Sequence, residues 1–193
     1  MIVWVNGTFG VGKTQVTHEL RRRLGRGWVA DPELLGFAVH RMRPPALRRD
    51  FQDDPVWRHA LREVLRDLAH RLDEPVLVPM TLVVDAYADE ILGGLADLDL
   101  RHVTLTARPE TVRRRLRSRG GPVRDLWALQ QLERCTAALA APRFATHVDT
   151  DVRTVDEVVE AVADAAGLEL RRPREPRATA FLRRRLVQLR HVR

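Results

Sequence analysis

Gly7-Thr8-Phe9-Gly10-Val11-Gly12-Lys13-Thr14 is a complete G-x-x-x-x-G-K-[ST] run. Lys13 is the only lysine among 33 Lys and Arg residues; every other one is arginine. A composition that uses arginine everywhere else has kept a lysine here. A compact ammonium reaches between phosphates, whereas a guanidinium is wider and directs its donors in a fixed fork. The flanks fit the motif. Ile2-Val3-Trp4-Val5 is an apolar, β-branched run that reads as a buried strand. Val16, Leu20 and Leu24 recur at helical spacing after the loop. Strand, glycine loop and helix together aim backbone N–H groups at phosphates. Gly7, Thr8, Phe9, Gly10, Val11, Gly12, Lys13 and Thr14 are thus the expected ATP cradle. Lys13 would meet the β- and γ-phosphates, and the Thr14 hydroxyl would ligate Mg²⁺.

Working outward, strand and helix patterns alternate, which predicts an α/β fold with a parallel sheet. Strands are expected at 28–30, 76–84, 103–107 and 147–149, besides the first. Helices are expected around Trp57 to Leu72, over 85–95, 110–119 and 126–139, and from Val155 to a stop at Gly167. Five strands with helices on both faces would be a P-loop NTPase fold of the nucleoside or small-molecule kinase kind. Ligands would then gather at the carboxyl ends of the strands.

At 193 residues the chain has room for one domain with a full core. A lone cysteine, Cys135, excludes an internal disulfide, fits a reducing cytosol, and reads as a small buried apolar residue. The chain enters a strand at once, so no signal peptide is expected. The longest apolar run, Pro75 to Val84, is too short to span a bilayer. The net charge of +7 is unevenly placed. Residues 171–193 carry nine arginines and one acid, Glu175, leaving 24 basic and 25 acidic side chains in 1–170. The body is nearly neutral, so nucleic-acid binding is not expected. The expected division is a kinase-like body over 1–170 and a basic linker and cationic helix over 171–193. In that helix Phe181, Leu182, Leu186, Leu189 and Val192 share one face, with Arg183, Arg184, Arg190 and His191 opposite. Such a helix suits docking on its own domain, or an anionic membrane surface.

Asp31 ends the second strand at the edge of the expected cleft. A carboxylate there can fix or deprotonate an acceptor hydroxyl; an aspartate before proline also starts turns. Glu33 is its substitute. Arg113 to Arg119 follow the fourth strand and meet a glycine pair, which reads as a lid over about 117–127. Mobile arginines can stabilise the charge that builds during phosphoryl transfer. Arg115 and Arg119 are the candidates, with Arg124 behind them and a solvated basic face as the alternative. Val78-Pro79-Met80-Thr81 carries no acid at the end of the third strand. Mg²⁺ would then rest on Thr14, phosphates and water, with Asp85 a lesser candidate. Asp149-Thr150-Asp151, after the fifth strand, resembles the loop that packs near adenine in such folds. Phe37, Met80 and Tyr87 are the candidates for an acceptor pocket, although core packing explains such residues equally well.

These residues resemble the ATP-binding tunicamycin-resistance proteins of bacteria over nearly the whole chain. Ile2 to Gly7 with Gly10, Gly12, Lys13 and Thr14, Asp31-Pro32-Glu33 with Gly36-Phe37-Ala38, and Asp50-Phe51-Gln52 with Pro55 and Trp57-Arg58 carry the resemblance. So do Val78-Pro79-Met80-Thr81, the basic lid segment, Trp127-Ala128 and Arg134-Cys135. The phosphate loop is generic; Asp-Pro-Glu with Gly-Phe-Ala and Val-Pro-Met-Thr is more specific. The resemblance implies protection against tunicamycin, a lipid-linked nucleoside antibiotic. Its route would be phosphorylation of a drug hydroxyl, or ATP-dependent sequestration without turnover; a kinase of a cellular nucleoside or sugar is the further alternative. It also implies a cytoplasmic protein whose tail meets the inner face of the plasma membrane.

Overall fold

The computed structural model describes residues 1–118 and 122–191, and their side chains other than those of 122–125, 127, 177 and 188–191. Five strands form one sheet: β1 (Ile2–Gly7), β2 (Trp28–Val29), β3 (Val76–Pro79), β4 (Leu100–Thr106) and β5 (His147–Asp149). Their order is β2-β3-β1-β4-β5, and every pairing is parallel. The expected five-stranded parallel sheet is therefore present. β1 lies at its centre with all six residues buried, as a strand covered on both faces must be.

Alternation along β1 divides the core. Val3 and Val5 face α1 (Lys13–Leu24) and α7 (Val155–Ala166), against Val16, Leu20, Leu24, Val159 and Val162. Ile2 and Trp4 face α3 (Pro55–Arg71) and α4 (Asp85–Ile91), against Trp57, Leu61, Leu65 and Ile91. A smaller cluster of Val112, Leu116, Ala128 and Leu132 joins α5 (Pro109–Arg117) to α6 (Pro122–Leu139). α7 opens on a Thr154–Glu157 capping box and stops at Gly167, whose φ of 67° favours glycine.

Several boundaries differ from the sequence reading, each for a local reason. The stretch after Asp31, where no helix is expected, is α2 (Pro32–Met42): Asp31 is its N-cap and Pro32 its first residue. β3 ends at Pro79 rather than running to 84, because the backbone of Leu82 is bound by the Asn6 side chain instead of a neighbouring strand. The helix expected over 85–95 becomes α4 and a separate 3-10 turn, Gly93–Leu95, where two glycines weaken helix continuation. β4 starts three residues early, at Leu100. Of the expected lid, 119–121 lie outside the described residues; so do Arg119 itself and the side chain of Arg124.

The last helix, α8 (Arg177–His191), docks on the body. The linker is held first: the N–H groups of Arg171 and Arg172 donate to the Arg23 carbonyl, and Arg22 donates to that of Pro173. Glu160 sits between Arg174 and Arg23, whose hydrogen bonds hold its carboxyl down at about 2. Further on, Arg184 pairs with Asp156 at 3.0 Å and accepts at its carbonyl from Gln15, at 2.9 Å. Ala180 is buried on this inner side, yet Phe181, Leu182 and Leu186 are 57%, 64% and 56% exposed. A helix docked by its apolar face would show the reverse.

Candidate active site

The phosphate loop joins β1 to α1 at the carboxyl edge of the sheet. Gly7, Gly10 and Gly12 have φ of 145°, 82° and 114°, a region L side chains rarely adopt. At Gly10 a Cβ would also lie 2.9 Å from Leu116, so α5 fixes the loop from outside. A Cβ at Gly12 would meet nothing within 4 Å, so the loop is open at the mouth of α1.

Lys13 lies across this loop. Its Nζ donates to the carbonyls of Gly7 and Thr8, at 2.9 and 3.0 Å, and to Thr81 Oγ1 at 2.8 Å. The Phe9 ring lies 5.6 Å from the ammonium. Thr14 follows in the first turn of α1, partly exposed, where a hydroxyl can serve as one ligand of a hydrated cation. No group of three or more acidic, His or Cys side chains able to hold a metal occurs among the described residues. These residues suit a nucleotide that brings phosphate oxygens to the cation.

Beneath the loop, Asn6 is fully buried and holds three elements together. Its Oδ1 accepts from the N–H groups of Gly7 and Leu82, and its Nδ2 donates to the Leu82 carbonyl. Because Oδ1 is occupied, the amide group facing His102 is Nδ2, 3.3 Å from Nε2. That arrangement makes Nε2 an acceptor and leaves the imidazole proton on Nδ1. Burial, with a smaller push from His147, lowers the His102 imidazolium to about 4. Neither Asn6 nor His102 was among the sequence candidates for the site. Their contacts span 76 and 96 residues, and nothing local announces them.

Arg115 is placed beside the loop rather than above it. Its guanidinium donates to the Val11 carbonyl, to Thr150 Oγ1 and to the Thr150 carbonyl, at 3.2, 2.9 and 2.6 Å. It therefore ties α5 to the phosphate loop and to the turn after β5. In that turn Asp151 accepts from the Arg108 N–H and guanidinium. Burial raises the Asp151 carboxyl, but hydrogen bonds from Thr111 and Arg108 outweigh this and hold it below its ordinary value.

The acceptor-side candidates divide. Asp31 Oδ1 accepts from the Glu33 N–H at 3.0 Å, the cap of α2, and Glu33 is exposed. Phe37, half-buried on α2, meets the Phe51 ring edge-on with centroids 6.4 Å apart. Phe51 in turn lies against Gly36, where a Cβ would be 2.6 Å from its ring, and against Trp57, whose indole donates to the Pro32 carbonyl. Tyr87 donates to Asp53 at 2.8 Å and lies under the Arg58 guanidinium, 4.3 Å away. The hydrogen bond to Asp53, then burial, raises the tyrosine above its ordinary value. Met80 is 2% exposed and belongs to the core beneath, and Met42 is 85% exposed. Asp85 is exposed and pairs with Arg143, and Cys135 is buried.

Fold and loop together define a nucleotide-binding protein of the P-loop kinase-like class. The chain belongs to the AAA domain family (AAA_33), whose model matches residues 2–142. Among solved structures it is similar to the tunicamycin resistance protein of Deinococcus radiodurans: 29% identity over 89% of this chain and 99% of that one, with a TM-score of 0.75. A gluconokinase of Sinorhizobium meliloti 1021 shares the fold at 19% identity, covering 86% of this chain and 90% of its own, TM-score 0.64. An APS kinase of Mycobacterium tuberculosis, solved in complex with AMPPNP and APS, does so at 20% identity, 86% and 96% coverage, TM-score 0.59. No curated protein matches the sequence. Among the described residues no helix is long and apolar enough to cross a membrane.

Proposed function

We propose that this protein confers resistance to tunicamycin by transferring the γ-phosphate of ATP to a hydroxyl of the drug. The observation that carries this reading is the phosphate loop with Lys13 held at its mouth, in a chain similar over 89% of its length to a tunicamycin resistance protein. The loop N–H groups and the start of α1 would bind the phosphates, with Lys13 moving from the loop carbonyls onto the β- and γ-oxygens. Thr14 would hold Mg²⁺, which when bound neutralises charge building on the transferred group. Asp31 lies at the end of β2, on the same edge of the sheet. One carboxylate accepts several hydrogen bonds, so the cap to Glu33 is compatible with receiving the acceptor's proton. Arg115 would hold the loop in shape, and Phe37 and Tyr87 would border the acceptor.

The test is drug-dependent release of ADP, followed for the wild type, Lys13→Ala and Asp31→Asn. Turnover that survives in Asp31→Asn at the full rate removes the base role. A second reading, ATP-dependent sequestration, is favoured by the neutral Thr81 where many P-loop enzymes carry an acid. It predicts tight drug binding with no ADP release.

The tail extends the proposal to location. With Arg183 and Arg184 paired to Glu175 and Asp156, α8 turns Phe181, Leu182 and Leu186 outward, with Arg185 over the Phe181 ring. An apolar strip beside arginines suits the surface of an anionic bilayer, where an amphipathic drug also gathers. The helix would meet that surface without leaving the body.

A further inference from the structure

We propose that Thr81 does the work of the missing acid as an uncharged hydrogen-bond acceptor, first for Lys13 and then for a water on the nucleotide-bound cation. The proposal rests on the nucleotide reading above.

The position is built rather than incidental. β3 pairs with β1 in register, Val5 beside Pro79, and continuing that register brings Thr81 level with Gly7. The backbone is pinned on both sides: Met80 donates to the Val5 carbonyl, and Leu82 is bound at N–H and carbonyl by Asn6. Thr81 itself is 4% exposed. A hydroxyl has one proton and two lone pairs. Here the proton is committed, because Thr81 Oγ1 donates to the Gly7 carbonyl at 2.8 Å. The oxygen therefore faces Lys13, at 2.8 Å, as an acceptor.

A carboxylate in this place would also accept, but its charge would pair with the one ammonium the phosphates need. Threonine keeps the acceptor and adds no negative charge beside Lys13. When phosphates draw Lys13 away, the lone pair it leaves is fixed in place and suited to a water of hydrated Mg²⁺, which keeps several waters when bound. Thr81 is thus a positioning residue; it acts through Lys13 and through the cation's hydration shell.

The test is calorimetric binding of ADP and of AMPPNP, with Mg²⁺ and with EDTA, to the wild type, Thr81→Val, Thr81→Ser and Thr81→Asp. Thr81→Val keeps the side-chain shape, and Lys13 still donates to the Gly7 carbonyl, so folding is checked simply by thermal melting. In EDTA, Thr81→Val is expected to bind nucleotide as well as the wild type or better, having lost a competitor for Lys13. With Mg²⁺ it should lose about 3- to 10-fold of the wild-type gain, the size of one hydrogen bond, and Thr81→Ser should restore it. Thr81→Asp should bind more weakly in EDTA, because the new carboxylate would hold Lys13 more tightly than the hydroxyl does, and gain more from Mg²⁺ than the wild type. An undiminished Mg²⁺ gain in Thr81→Val overturns the proposal, as does an equal loss with and without the cation, which would mark a purely structural hydroxyl. If the wild type binds neither nucleotide, the nucleotide reading itself fails, and this proposal with it.

Discussion

Acid should loosen the foundation of the phosphate loop through one histidine. His102 accepts from Asn6 Nδ2, and the Asn6 amide cannot turn because its Oδ1 already serves Gly7 and Leu82. Protonation at Nε2 would set an N–H against an NH₂ group. Burial first, then His147, lowers the folded-state value to about 4, against 6.5 for a free imidazole. The unfolded chain therefore binds this proton first. Stability from the neutral imidazole is complete above pH 6.5 and is lost as pH falls from 6.5 towards 4. Each pH step in that window costs about 1.4 kcal/mol, so about 2 kcal/mol is lost by pH 5. The assay is urea unfolding of the wild type and His102→Gln at pH 7.5 and 5.0. The two proteins differ only at position 102, so groups remote from it contribute equally to both and drop out of the difference. The variant should lose about 2 kcal/mol less than the wild type between the two pH values. Equal losses would refute both the lowered value and the acceptor role of Nε2.

Gly36→Ala would drive a Cβ to 2.6 Å from the Phe51 ring, and should cost about 1–3 kcal/mol in denaturant unfolding; a neutral result would mean that the aromatic cluster yields freely. Arg115→Ala removes three hydrogen bonds from a guanidinium to the loop and Thr150, and should cost about 2 kcal/mol in stability while weakening nucleotide binding measured by calorimetry. Leu182→Glu with Leu186→Glu lies on the outward strip of α8, so melting should be nearly unchanged while flotation with anionic vesicles is lost; retained flotation would remove the membrane role.

The phosphate loop was legible because its information is local: three glycines, a lysine and a threonine at fixed spacing between a strand and a helix pattern. The parallel sheet followed from alternating periods, and the stop of α7 from Gly167. α2 was not legible as a helix. Asp31-Pro32 serves equally as a turn and as a cap with the first helical residue, and Gly36 weakens the pattern within. Gly36 has its cause elsewhere, in the ring of Phe51. The long-range contacts had no local sign. Asn6 reaches Leu82 and His102, and Lys13 reaches Thr81, only because β3 and β4 flank β1. The position of Met80 after a strand pattern suggests an acceptor pocket, but alternation along the chain turns it into the core with Val76 and Val78. The amphipathic period of α8 was plain, whereas the direction of its apolar face depends on acids of α7 and the linker that only the fold brings beneath it.

The most direct test of the central claim is the mass of tunicamycin after incubation with this protein and Mg-ATP, beside the Lys13→Ala variant. The account predicts that the drug gains one phosphate with the wild type and remains unmodified with the variant. A drug that stays unmodified in both, while calorimetry shows it bound to the wild type, would contradict phosphorylation and leave sequestration in its place.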